Sequence, residues 1–121
     1  MLSSALLSAS LLHSPLACAQ VVVPAATATH GYDFLTMTAA EGAKGLSFIL
    51  FAPAFQGKTD IPLEAINMIG TEKYKERIRQ NEQLINEQLS ALTVAGWELV
   101  SIYTTATLTN SRCYLFRKAK N

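Results

Sequence analysis

Residues 71–105 read TEKYKERIRQNEQLINEQLSALTVAGWELVSIYTT, and their patterning decides the fold. Tyr74, Ile78, Ile85, Leu89 and Leu92 recur at gaps of 4, 7, 4 and 3, the spacing of one helix stripe. Leu84, Ala91 and Ala95 widen that stripe toward its C-terminal half. Thr71 stands where a helix N-cap is expected, and Glu72 supplies acid to the first turn, where the helix dipole favours it. Asn81 occupies an expected apolar place, so the first half of the helix is expected to project into solvent. Lys73, Lys75, Glu76, Arg77, Arg79 and Glu82 form its wet face. Gly96 then stops the helix over residues 72–95, because glycine accepts the left-handed conformation such an ending requires. Trp97 opens a strand over residues 97–105.

Strands flank this unit on both sides. Residues 32–38 (YDFLTMT) are rich in aromatic and β-branched types, as strands are. Residues 39–45 turn, and residues 46–52 (LSFILFA) are almost continuously apolar up to Pro53, the mark of a buried strand. The two runs predict an antiparallel hairpin. Residues 53–70 are punctuated by Pro53, Gly57, Pro62 and Gly70. They predict a loop over one sheet edge, with a short helix starting at Pro62 and carrying Leu63, Ile66 and Ile69. After a turn at 107–111, residues 112–118 (RCYLFRK) alternate as a closing strand. The expectation is an α+β domain over residues 32–119. A four-stranded, mainly antiparallel sheet, in strand–strand–helix–strand–strand order, packs on one long helix with Trp97 anchoring the core.

The gly-trp-glu-leu-val run at Gly96-Trp97-Glu98-Leu99-Val100 follows a helix carrying Leu89 and Leu92. Tyr114, Phe116, Arg117 and Lys118 close the chain, and Tyr32-Asp33-Phe34 opens the first strand. In these features the sequence resembles domain of unknown function 4177, a family of small bacterial proteins. The likeness covers the last third and the opening strand; residues 52–74 depart from the shorter family pattern. It implies a small α+β fold of an exported subgroup and carries no catalytic residues over.

The chain has 121 residues, a formal net charge of +1, 50% apolar residues and no charged residue among its first 30. This length suits one domain. Ten Lys and Arg against nine Asp and Glu leave no basic excess of the kind nucleic-acid binders carry. Residues 1–19 (MLSSALLSASLLHSPLACA) combine a leucine-rich run, the breaker Pro15 and Ala17-Cys18-Ala19, the parts of a secretory signal peptide. The expectation is cleavage after Ala19 and export to the periplasm or beyond, with residues 20–31 as a linker. Three other readings compete. Acylation at Cys18 is disfavoured by Pro15 in place of an aliphatic residue. A permanent membrane span is disfavoured by His13, Pro15 and the serines, which shorten the stretch below about 20 apolar residues. The third is a buried N-terminal helix.

Candidate chemistry is sparse. His30 falls in the linker, where nothing holds a general base. With that histidine and Cys113 alone after cleavage, no zinc site of ordinary spacing is formed, and no metal or cofactor is expected. Cys113, on a strand, reads as a small buried hydrophobe. Asp33, Asp60, Glu64 and Glu98 are scattered, and Glu98 is expected to face solvent or cap a turn. Arg112, Arg117 and Lys118, interleaved with Tyr114 and Phe116, form the one basic–aromatic cluster, a composition that single-stranded nucleic acid exploits. Export and balanced charge count against that partner. The expected function is a non-catalytic binding module for a protein or cell-envelope component. Its alternative is a small enzyme whose site forms at an oligomer interface. An exposed apolar patch or sheet edge would favour the first; a cleft floored by carboxylates or Cys113 would favour the second.

Overall fold

The computed structural model describes residues 28–66, 70–106 and 110–121. The signal-peptide reading with its Ala17-Cys18-Ala19 site, linker residues 20–27, Ile69 and the turn at 107–109 lie outside the described residues. Five strands and one helix are described: β1 (Tyr32–Glu41), β2 (Phe48–Phe55), β3 (Lys58–Pro62), α1 (Thr71–Val94), β4 (Glu98–Ala106) and β5 (Asn110–Ala119). They make an α+β fold with one antiparallel sheet of order β3-β2-β1-β5-β4.

The expected four strands become five because residues 58–62 form β3 rather than a loop leading to a helix. Gln56 and Gly57 carry φ of 51° and 78° between Phe55 and Lys58, which pair across the hairpin. Two successive positive φ values are the geometry of a tight two-residue hairpin turn, whose twist matches that of the flanking strands. Gly57 takes this conformation freely; Gln56 does so less readily. Nor does β2 stop at Pro53, as expected. Its pairing with β1 ends at Ala52, and its pairing with β3 is irregular between Leu50 and Phe55, so no ladder bond demands the missing N–H. Leu63 and Ile66 lie in an extended connection instead of a helix: their N–H groups donate to the carbonyls of Ser47 and Gly42.

Strand alternation sorts the side chains onto two faces. Leu35, Met37 and Ala39 of β1, Ile49 and Phe51 of β2, and Tyr114 and Phe116 of β5 point to one side. There they meet Ile85 and Leu92 of α1 to form the core. Leu89, Ala91, Trp97, Leu99 and Ile102 pack at its margin.

The helix stripe is corrected in three places. Gly70, not Thr71, is the N-cap residue, and no side chain caps the helix. Tyr74, expected on the apolar stripe, is exposed, although residues 71–76 as a whole project into solvent as expected. Asn81, expected on a projecting half, is buried. At the other end the expectation holds. Gly96 has φ 96°, its N–H donates to the Thr93 carbonyl, and the Trp97 N–H donates to the Leu92 carbonyl. This paired arrangement satisfies carbonyls that the last turn would otherwise leave open. Trp97 sits at the rim of the core, half-buried, with Lys118 Nζ 4.8 Å from its ring centre.

Candidate functional site

The same alternation that fills the core leaves the opposite face of the sheet without a covering layer among the described residues. Phe34 and Thr36 of β1, Phe48 and Leu50 of β2, Cys113 and Leu115 of β5, and Tyr103 of β4 lie on it. Their placement follows from the registers Thr36↔Leu115, Thr38↔Leu50, Thr38↔Cys113 and Tyr103↔Cys113. Phe34 is 54% exposed, Tyr103 46% and Leu50 43%, while Phe48 and Leu115 are half-covered. This face, with its exposed apolar side chains set among threonines and Cys113, is the main candidate site. Its polar groups are few: Thr36, Thr38, Ser101, Ser111 and Thr105, with Asp60 on β3. Arg117 stands at one end, over the Tyr32 ring at 4.5 Å and 3.2 Å from Glu98 Oε1.

Cys113 belongs to this face rather than to a catalytic cleft. It is 8% exposed, and its Sγ lies 3.6 Å from Thr38 Oγ1. The thiol raises the pKa of the neighbouring Tyr103 phenol above its ordinary value, with burial adding to the shift. Its side-chain neighbours among the described residues include the Thr38 hydroxyl and the Tyr103 phenol.

A second, polar cluster lies on the helix side. Arg112 Nη2 donates to Glu82 Oε2 at 2.8 Å and lies 3.7 Å from Glu41 Oε1. Burial works against the Arg112 charge, yet the Glu82 hydrogen bond, Tyr114 and the nearby carboxylates outweigh it and raise its pKa. Asn81 Nδ2 donates to Glu41 Oε2 at 3.1 Å. Beside this cluster, Glu41, Thr104, Thr105, Asn110, Ser111 and Arg112 line a crevice of about 260 Å³. Two acids bracketing one guanidinium make a structural clasp between β1, α1 and β5. A larger hollow of about 570 Å³ is lined by Arg79, Glu82, Gln83, Asn86, Glu87 and Ser90, all from α1, and is a trough along the helix surface.

The other candidate residues are dispersed. His30 is exposed at the turn before β1. Asp33 lies 3.9 Å from Lys120 Nζ, Asp60 accepts from Thr59 Oγ1, Glu64 meets Asn81 through its backbone, and Glu98 is paired with Arg117. The basic–aromatic cluster is not one surface: Arg112 and Lys118 face the helix side, Arg117 faces the open side, and Tyr114 and Phe116 are core residues. Among the described residues no group of three His, Cys, Asp or Glu side chains could hold a metal ion. No described helix is long and apolar enough to cross a membrane.

Phe34, Leu50 and Tyr103 are not among the site residues expected from the sequence. A signal was present. Residues 46–52 are apolar at nearly every position, which strands show when both faces are covered. Among the described residues one face of β2 is covered and the other is open. No family model, curated protein or solved structure matches the chain.

Proposed function

We propose that the protein is an exported, non-catalytic interaction domain that docks a protein partner on the open face of its sheet. The observation that carries this reading is the exposure of Phe34, Leu50 and Tyr103 on one face, across strands whose opposite face is already packed. Apolar side chains exposed together on one face mark interaction sites in folded proteins. The residues weighed for an enzyme site support the same reading. Glu41 and Glu82 are engaged by Arg112, and Cys113 lies on the opposite face of the sheet from them. The signal-like residues 1–19 support export, and the Gly96-Trp97-Glu98-Leu99-Val100 run supports kinship with domain of unknown function 4177, as part of the same proposal.

The test separates surface from core. Phe34→Ser with Leu50→Ser is expected to change stability by no more than about 0.5 kcal/mol per site, as exposed substitutions do. Leu35→Ala, one residue from Phe34 on the other face, is expected to cost about 2–5 kcal/mol. A core-like loss from the double variant contradicts the reading. For export, the intact mass of the secreted protein is expected to match a chain starting at Gln20. A mass retaining residues 1–19, or one starting at an acylated Cys18, contradicts it.

A further inference from the structure

The sheet has two outer strands, and they are built differently. β3 is five residues long, carries Lys58 and Asp60, and ends in Pro62. Short length, charge and proline are the devices by which edge strands avoid pairing with other chains. β4 is nine residues long, and from Leu99 to Ala106 it has neither a charged residue nor a proline. Its one irregularity lies between Leu99 and Ser101, so the remainder runs in register with β5. Among the described residues no strand pairs with its outer side. Backbone groups along that side are left for water or for another strand.

We infer that β4 is a self-association edge, through which two copies of the chain pair antiparallel about a two-fold axis at Tyr103. A two-fold that makes two identical strands antiparallel stands perpendicular to the sheet, so facing residues lie on the same face of both copies. With Tyr103 on the axis, it faces the mate's Tyr103, Ile102 faces Thr104, and Ser101 faces Thr105. These are aromatic, β-branched and hydroxyl pairs, the kinds that stabilise cross-strand contact, and no like charges meet. The same operation on β3 fails: Asp60 is its middle residue, and it would face another Asp60. The β4 edge is therefore self-complementary where the β3 edge is not. Tyr103, Thr104 and Thr105 are exposed and ready for the contact. Pairing leaves both helices on one side and joins the two open faces into one longer surface. The inference does not rest on what docks there.

Sedimentation of the full chain over a wide concentration range reads the association directly. The wild-type chain is expected to reach twice its monomer mass. Tyr103→Lys sets two ammonium groups opposite each other and is expected to weaken the dimer about tenfold or more, since facing like charges destabilise a strand pair. Gln83→Lys adds the same charge on the exposed helix surface and is expected to leave the dimer intact. A second readout does not depend on how well the lysine variant folds. In a chain with Cys18→Ser and Cys113→Ser, Tyr103→Cys is expected to form an inter-chain disulfide readily. Facing Cα atoms in such a pair are about 4.5–5.5 Å apart, within disulfide reach. Ser101→Cys, which faces Thr105 of the mate, is expected to cross-link poorly. A chain that stays monomeric throughout, a dimer indifferent to Tyr103→Lys, or faster cross-linking from Ser101→Cys than from Tyr103→Cys overturns the inference.

Discussion

Asn81 holds Glu64 by both sides of its backbone: Asn81 Oδ1 accepts the Glu64 N–H at 2.8 Å, and Asn81 Nδ2 donates to the Glu64 carbonyl at 3.0 Å. The amide thus acts as a short piece of strand, fastening the 63–66 connection to the middle of α1. Arg77 Nη1 adds a bond to the Ala65 carbonyl at 3.1 Å, one turn earlier. A buried polar side chain is tolerated in a helix stripe because its donors and acceptors are met.

Asn81→Leu restores the apolar stripe yet is expected to destabilise the domain. It strips partners from two backbone groups and from Glu41, and leaving buried groups unpaired costs about 1–3 kcal/mol each. Asn81→Ala is expected to do the same, with a cavity added. Denaturant unfolding checks the sign. A Leu variant more stable than wild type shows that the clamp contributes nothing.

Alkali is expected to weaken the fold in a way that Tyr114 helps set. Burial is the main cause that raises the Tyr114 phenol above its ordinary value; Glu82 and Glu41 add to the rise, and Arg112 opposes it. A raised pKa means the folded state holds its proton after the unfolded chain has released it. The resulting stability is full below the unfolded value, about 10, and is lost as pH rises through the folded value. Melting temperature followed from about pH 8 to about pH 11 should fall less steeply in Tyr114→Phe than in wild type. Equal slopes contradict the assignment.

Trp97 and Gly96 separate packing from backbone conformation. Trp97 is half-buried at the rim, so Trp97→Ala is expected to cost about 2–3 kcal/mol, less than the roughly 3–5 of a fully buried tryptophan. A Cβ on Gly96 would approach Lys118 Cε no closer than 3.6 Å, which leaves room; the strain comes from φ 96°. Gly96→Ala is expected to cost about 1–2 kcal/mol for that reason alone. Unfolding of the two variants in one series measures both. A Gly96→Ala chain as stable as wild type removes the conformational argument.

How far these features were legible in the sequence depends on the range of the interaction. Gly96 could be read because helix termination is local. The hairpin of β1 and β2 could be read from two apolar runs around a turn. β3 was missed because Gln56-Gly57 is a less familiar turn pair than Asn-Gly, and because Pro53 and Pro62 outweighed the strand content of residues 58–61. Asn81 was recognised as an interruption, but its partner Glu64 lies in another segment, and only the tertiary fold brings them together. The open face was hidden for a related reason. The sequence shows that both sides of β2 are apolar, and the structure is needed to see that one of them has no covering layer among the described residues.

The central claim, that this open face docks a protein partner, is tested most directly by placing a photo-reactive phenylalanine derivative at Leu50 and irradiating producing cells. Gln83 on the outer surface of α1 serves as the comparison position. Leu50 lies on β2, three strands away from the β4 edge, so self-association there does not reach it. The account predicts a discrete adduct with another protein at Leu50, none at Gln83, and loss of the adduct when Phe34→Ser is added. No adduct at Leu50, equal adducts at both positions, or an adduct with the mass of two copies of this chain would contradict it.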